Sequence, residues 1–295
     1  MTRARALLAA AAALAIAAAN GPAGAAVALR DDAGREVLLA QPARRIVTLA
    51  PFLTELAFSA GAGARVVGAS AHSDHPPEAA ALPQVASSAG PSLEAIGALR
   101  PDLVLAWQDA IRPHDVARLE AMGAKVFVTR ARTLDDAPRL LEAIATLAGL
   151  PRPAAASAYR ERVRELRAAH AGLPRVPVLL EIWHAPLTTL AGTHWILEAL
   201  EACGGRSAFG DLPGVAPQVP WELVMLRDPF AIVGAGSAAD EARFRAAWSG
   251  RATLGAVKEG RLVFVPPDLL QRPTMRLAEG VERLCAGLDR VRGGG

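Results

Sequence analysis

Residues able to do chemistry gather at a few places in this chain. His72 and His75 flank Asp74 in the run Ser70-Ala-His72-Ser-Asp74-His75-Pro-Pro77, which could supply part of a metal site. A mononuclear site needs three or four converging ligands, and one short loop leaves that set incomplete. Trp107 and Trp183 each directly follow an apolar run, in a chain with only 4% aromatic residues. A tryptophan offers a broad flat surface to an extended ligand at low conformational cost. Asp268 and Arg272 follow the last apolar run, and Cys203 and Cys285 are the only cysteines. There is no Gly-x-Ser-x-Gly elbow, phosphate-binding loop or His-Glu-x-x-His helix, and Gly234-Ala-Gly236 is too short for a dinucleotide fingerprint. No nucleophile, base and oxyanion donor assemble, so these residues favour binding over catalysis. The catalytic alternative is a metal-dependent enzyme using His72, Asp74 and His75.

The elements that must position these residues are apolar strands alternating with helices. Strands are expected at Arg45 to Ala50, Val66 to Ala69, Asp102 to Ala106 and Lys125 to Thr129, then at Val178 to Ile182, Ala231 to Gly234 and Arg261 to Val265. Helices are expected between them, at Thr54 to Ala60, Leu93 to Leu99, Val116 to Met122, Leu134 to Ala148, Trp195 to Ala202, Glu222 to Leu226, Phe244 to Trp248 and Met275 to Leu288. Such alternation means parallel sheets covered on both faces. Ligands of such sheets bind beyond the carboxyl ends of the strands, where His72, Trp107, Trp183, Leu187 and Asp268 fall. Ahead of the first strand, Val27 to Leu39 reads as a small hairpin around an Asp-Asp-Ala-Gly turn.

Two stretches can be laid over one another. Leu93-Glu94 to Ala106 matches Trp221-Glu222 to Gly234, each with a Glu seven residues before a Pro that opens an apolar strand. Gly123 to Val128 and Gly260 to Val265 follow in the same order. Two matches in sequence argue for two equivalent lobes. Between them, Ala154 to His170 reads as one uninterrupted helix with Tyr159, Val163 and Leu166 on its apolar stripe. Glu94 and Glu222 each occupy the first turn of a helix, where a carboxylate gains from the helix dipole. Their equivalence also suits a partner with twofold symmetry.

The chain opens with Arg3 and Arg5, an uncharged run from Leu7 to Ala19 and an Ala-x-Ala exit, the pattern of a secretory signal peptide cut after Ala25. The expected division is a signal peptide over 1–25, an N-terminal lobe over 26–150, a connecting helix over 151–174 and a C-terminal lobe over 175–295. Removing Arg3 and Arg5 lowers the net charge from +3 to +1. No basic cluster with interleaved aromatics is present, so nucleic acid is not an expected partner. In an exported chain two cysteines form one disulfide or stay as two buried thiols. A bridge here would close a loop of roughly 80 residues and contribute on the order of 4 kcal/mol.

Three segments carry a family resemblance: Arg45 to Phe58, Val67 to Pro77, and Leu93-Glu94 with Arg100 to Trp107. They resemble the helical-backbone class of substrate-binding proteins that serve ABC importers, in its cobalamin-binding branch. The resemblance implies two Rossmann-like α/β lobes bridged by a long helix, with a ligand cleft between them. It also implies a monomeric, soluble periplasmic receptor without a cofactor of its own. Such a receptor captures cobalamin or a related corrinoid and delivers it to a permease dimer with its ATPase. Trp107 matches a cleft tryptophan, Leu187 falls near a cleft aromatic, and Asp268, with Arg272 behind it, opens the segment that touches the corrin. Glu94 and Glu222 match carboxylates that dock on permease arginines, and Cys203 with Cys285 matches the family disulfide. His72 stands in place of a ligand-contacting tyrosine, while Ser88 and Ala216 replace two cleft tryptophans. The alternative cargo is haem or a ferric siderophore, because His72 or His75 could ligate a chelated metal directly.

Overall fold

In the computed structural model, residues 25–236 and 240–293 are described. The signal peptide expected over 1–25 lies outside them, Ala25 aside. A hairpin of β1 (Val27–Arg30) and β2 (Glu36–Leu39) precedes the first lobe. That lobe runs β3 (Ile46–Thr48), α1 (Pro51–Ser59), β4 (Val66–Ser70), β5 (Gln84–Ser87), β6 (Gly90–Pro91), α2 (Leu93–Leu99), β7 (Leu103–Trp107), α3 (Pro113–Ala121), β8 (Lys125–Thr129) and α4 (Asp136–Leu147). Its sheet has the order β6-β5-β4-β3-β7-β8 and is parallel except for β6.

Helix α5 (Ala154–His170) carries the chain across. Its Tyr159, Val163 and Leu166 are buried, as the apolar spacing predicts. The second lobe follows with β9 (Val176–Glu181), α6 (Trp195–Ala202), β10 (Gly205–Ser207), α7 (Trp221–Arg227), β11 (Ala231–Gly234), α8 (Glu241–Trp248), α9 (Gly255–Lys258), β12 (Leu262–Phe264), α10 (Pro267–Leu270) and α11 (Leu277–Gly293). Among the described residues its sheet is parallel throughout, in the order β10-β9-β11-β12.

The internal repeat is physical. Helices α2 and α7 are both seven residues long. Both end on a left-handed residue that is not glycine, Arg100 at φ 45° and Asp228 at φ 35°. A proline follows each, and then β7 or β11. Gly123 and Gly260, which turn the chain into β8 and β12, have φ of 93° and 68°. Only glycine takes such angles at little steric cost.

The expected elements differ from the structure mainly at their ends. Helix α1 starts at Pro51 rather than Thr54, because a proline at the first helical position gives up no hydrogen bond. Strands β5, β6 and β10 have two to four residues each, too short to leave a periodic signal.

The lobes are welded rather than hinged. One apolar core runs without a break from Ile46, Leu53 and Leu105 through α4 and α5 to Val178, Val233 and Leu284. Helix α11 packs on α5 and α6, and a disulfide from Cys203, just past α6, to Cys285 pins it there. Just ahead of α11, Arg276 reaches back into the first lobe and grips Glu55 of α1. Its Nε donates to Oε1 at 2.8 Å and its terminal nitrogen to Oε2 at 2.7 Å. The Glu55 side chain is only 3% exposed.

A buried charge deprived of its partner is expensive, about 3–5 kcal/mol. Arg276→Met is therefore expected to destabilise the protein by roughly 3 kcal/mol or more. Disrupting a solvent-exposed pair such as Arg164–Glu161 should cost less than about 1 kcal/mol. Urea melts of Arg276→Met and Arg164→Met decide between a structural latch and an incidental contact.

Candidate functional site

The loops leaving the carboxyl ends of the two sheets face each other. After β4 the chain is tied down by a chain of buried hydroxyls. Thr48 and Thr54 lie 2.7 Å apart, Thr54 and Ser73 2.9 Å, and Ser70 and Ser73 3.2 Å. This fixes residues 70–73 against α1 and leaves His72 exposed, with left-handed backbone at φ 62°. Histidine tolerates that region better than most residues.

Asp74, on the same loop, is held from the other lobe. Arg272 donates to its carboxylate at 2.6 Å, pairs with Asp268 at 3.2 Å, and reaches the His72 carbonyl at 3.4 Å. The hydrogen bond from Arg272 holds the Asp74 carboxyl below the usual carboxylate range. Four expected residues, His72, Asp74, Asp268 and Arg272, thus come together at the seam. Arg272 spans the lobes, where the sequence placed it only as a ligand contact. Among the described residues no three His, Cys, Asp or Glu side chains converge to hold a metal ion, and Asp74 of the expected metal set faces a guanidinium instead.

A second meeting point lies beyond β7 and β8. Trp107 closes β7 and sets its ring edge-on to Phe52, with centroids 5.8 Å apart. Its indole nitrogen is buried with no hydrogen-bond partner among the described residues. Asp109 and Arg132 form a two-pronged ion pair at 2.7 and 2.8 Å. His194, the N-cap of α6 in the second lobe, accepts the Ile196 amide at Nδ1 and stacks on Trp195 at 3.9 Å. Burial, with the Arg132 charge second, pushes its pKa down to about 4. Sequence reasoning missed Asp109, Arg132, His194 and the Glu55–Arg276 pair as cross-lobe elements, because each depends on contacts no local pattern signals.

On the second lobe, Trp183 is 54% exposed, and its indole donates to the Ala185 carbonyl at 3.0 Å. Leu187 packs partly into the second lobe's own apolar cluster. The loop is folded back by bridges from Thr188 to Trp183 and Gln218. Glu94 and Glu222 are exposed in the first turns of α2 and α7. In α2 the Ser92 hydroxyl takes the capping role, accepting the Ala95 amide. Among the described residues neither glutamate is seen in a salt bridge.

A family model described as periplasmic binding protein matches residues 46–269. The vitamin B12-binding protein of Vibrio cholerae is 34% identical over 249 residues, covering 84% of this chain and 90% of that protein. The crystal structure of the periplasmic vitamin B12 binding protein of Vibrio cholerae superposes with a TM-score of 0.77 at 32% identity, covering 85% of this chain and 99% of the other. A periplasmic heme binding protein from Pseudomonas aeruginosa gives 0.73 at 27% identity, covering 83% and 92%. Among the described residues no helix is long and apolar enough to cross a membrane.

His194 makes the seam sensitive to acid. Its folded pKa of about 4 lies below the ordinary 6.5, so on acidification the unfolded chain takes up the proton first. Stability from this group is complete above about pH 6.5 and is lost as pH falls towards 4, by roughly 3 kcal/mol in all. Asparagine keeps an N-cap acceptor and does not titrate. Denaturant melts at pH 7, 5.5 and 4 should show His194→Asn gaining on the wild type as pH drops. A constant difference between the two proteins would assign the acid sensitivity elsewhere.

Proposed function

We propose that this chain, which belongs to the periplasmic binding protein family, captures cobalamin or a related corrinoid between its lobes and hands it to an ABC permease. The observation that carries the reading is its kinship with vitamin B12-binding proteins, which extends through both lobes and the helix between them. The fold is consistent with a receptor: two sheets, parallel but for β6, with loops beyond their strand ends that meet at the seam through Arg272 and Asp74. No step of this function is a reaction, so the chain acts as a binding protein and not as an enzyme.

Trp107 supplies a large apolar face at the first lobe's strand ends, suited to the flat surface of a macrocycle. Trp183 offers a second exposed ring from the opposite lobe. Arg272 with Asp74 and Asp268 forms the polar floor at the seam, where a ligand's amide groups can exchange hydrogen bonds with charged partners. The welded core and the Arg276–Glu55 latch keep the cleft's width nearly constant, so capture proceeds with little closure. Glu94 and Glu222, exposed on equivalent helices, are the docking carboxylates for a twofold permease. Export by the leader expected over 1–25, and function as a soluble monomer, belong to the same reading.

A second cargo, haem, is favoured by one observation: His72 is exposed on a fixed loop at the seam, where its imidazole can reach a chelated metal. Visible spectra separate the two. Ligation by His72 shifts the chelate's bands, and His72→Ala removes the shift; bands identical to those of the free chelate would reject ligation.

Two outcomes test the main reading. Trp107→Ala should weaken cyanocobalamin binding by about 1–3 kcal/mol in a fluorescence titration; unaltered affinity would take Trp107 out of the site. Glu94→Arg with Glu222→Arg should leave melting and ligand affinity intact while abolishing uptake in vesicles holding the permease. An interface charge without its partner can cost about 2–5 kcal/mol. Uptake at the wild-type rate would reduce both glutamates to helix-end charges.

A further inference from the structure

The second lobe holds a pocket of about 280 Å³ beside the loop that leaves the carboxyl end of β9. Pro186, Leu187 and Val219 form one wall, and Trp221 and Trp248 form the other, their ring centroids 6.1 Å apart and tilted by 41°. The Val219 amide donates to the Leu187 carbonyl at 2.9 Å, which joins the two segments of the first wall. Trp248 is fixed from behind, where its indole nitrogen donates to the buried Glu181 carboxylate at 2.5 Å.

Arg251 lies at the edge of this pocket, its guanidinium carbon 4.2 Å from the Trp221 ring centroid. Two other arginines stack on rings among the described residues, Arg227 on Phe209 and Arg261 on Phe230. Both also bind a carboxylate, Asp211 and Glu259. Arg251 is exposed, and among the described residues its guanidinium is seen with neither a carboxylate nor any other hydrogen-bond acceptor. An aromatic slot with an uncompensated cation at its edge is complementary to an aromatic ring bearing an anion.

The volume narrows the occupant further. Pockets for whole small ligands span roughly 300–1,000 Å³. Just below that range, this one has room for a two-ring heterocycle but not for a tetrapyrrole-sized macrocycle. We infer that the pocket seats the nucleotide arm of a complete corrinoid, with Trp221 as the stacking platform for its aromatic base and Arg251 as the partner of its phosphodiester. The inference rests on the corrinoid reading above and assigns residues to a part of the ligand that the cleft tryptophan does not address. Haem carries no such arm, and neither does cobinamide, the corrinoid that lacks the base, ribose and phosphate. The pocket therefore serves to select complete corrinoids.

The experiment titrates wild type, Arg251→Gln and Trp221→Ala with cyanocobalamin and with dicyanocobinamide, following tryptophan fluorescence or heat. Stacking of a base on an aromatic ring corresponds to about a five- to hundredfold effect on affinity. Each variant is expected to bind cyanocobalamin about tenfold more weakly, with affinity for dicyanocobinamide unchanged. Arg251 is exposed, so Arg251→Gln keeps the test valid if Trp221→Ala fails to fold. Equal losses for both ligands, or no loss for cyanocobalamin, would overturn the assignment while leaving the corrinoid reading standing. A wild-type protein that binds neither ligand would overturn the corrinoid reading itself.

Discussion

The Glu55 carboxylate is sealed between the two lobes, and a charge in that position is tolerable only because Arg276 meets it with two parallel hydrogen bonds. A buried pair of this kind adds little net stability over an apolar substitute, since desolvation offsets most of the attraction. What it imposes is geometry. A guanidinium fork accepts a carboxylate in a narrow range of orientations, so α1 of the first lobe and the start of α11 in the second are held in one relation. The apolar core then has no freedom to slide, because it runs through both lobes and the helix between them. The disulfide from Cys203 to Cys285 transmits the same constraint to α6. The Arg272 contacts to Asp74 and Asp268 lie at the same seam.

That rigidity bears directly on how a receptor of this shape can work. Where lobes are joined by extended strands, closure around the ligand supplies part of the recognition. Here the joint is a 17-residue helix without an internal glycine or proline, packed along its buried face. The ligand must find complementary surface largely in place, which favours flat aromatic faces and fixed ion pairs over adaptable loops. The hydroxyl chain through Thr48, Thr54, Ser73 and Ser70 is such a device, because it anchors an irregular loop using only buried, mutually satisfied groups. The same rigidity keeps Glu94 and Glu222 at a constant separation, as the docking proposed for them requires.

How much of this was legible in the sequence depended on the range of the interaction. Helices α2, α5 and α6 and strands β8 and β11 have the expected ends, because apolar period, prolines and capping residues lie within a few positions of one another. The two-lobe architecture was legible from the repeat, since Pro101 and Pro229 and Gly123 and Gly260 punctuate equivalent turns. The cysteine pair was legible from its isolation, and the structure bonds it. The candidate site was legible as a set of strand ends but not as an arrangement. Arg272 and Asp74 are 198 positions apart, and Arg276 and Glu55 are 221 apart, so nothing local distinguishes these arginines from the many that line exposed helices. His194 has the same character: its depressed basicity comes from burial at the seam and from Arg132 on the other lobe.

The aromatic residues show how a cleft can change its emphasis while the fold stays fixed. Where the resemblance to cobalamin-binding proteins implies aromatics, this chain has His72, Ser88 and Ala216, all three exposed. Of the five tryptophans in the chain, only Trp107 stands at the first lobe's strand ends. Trp183, Trp221 and Trp248 stand instead on or beside the loop that leaves β9. Dispersion and stacking scale with the area of ring in contact, wherever that ring is mounted. Rings mounted on the second lobe therefore still offer stacking surface, but to a different part of a ligand than Trp107 does. Because the lobes are latched, such a redistribution cannot be offset by a change in closure. On the corrinoid reading it has to be matched by the ligand's own shape, at the second lobe's rings as well as at Trp107.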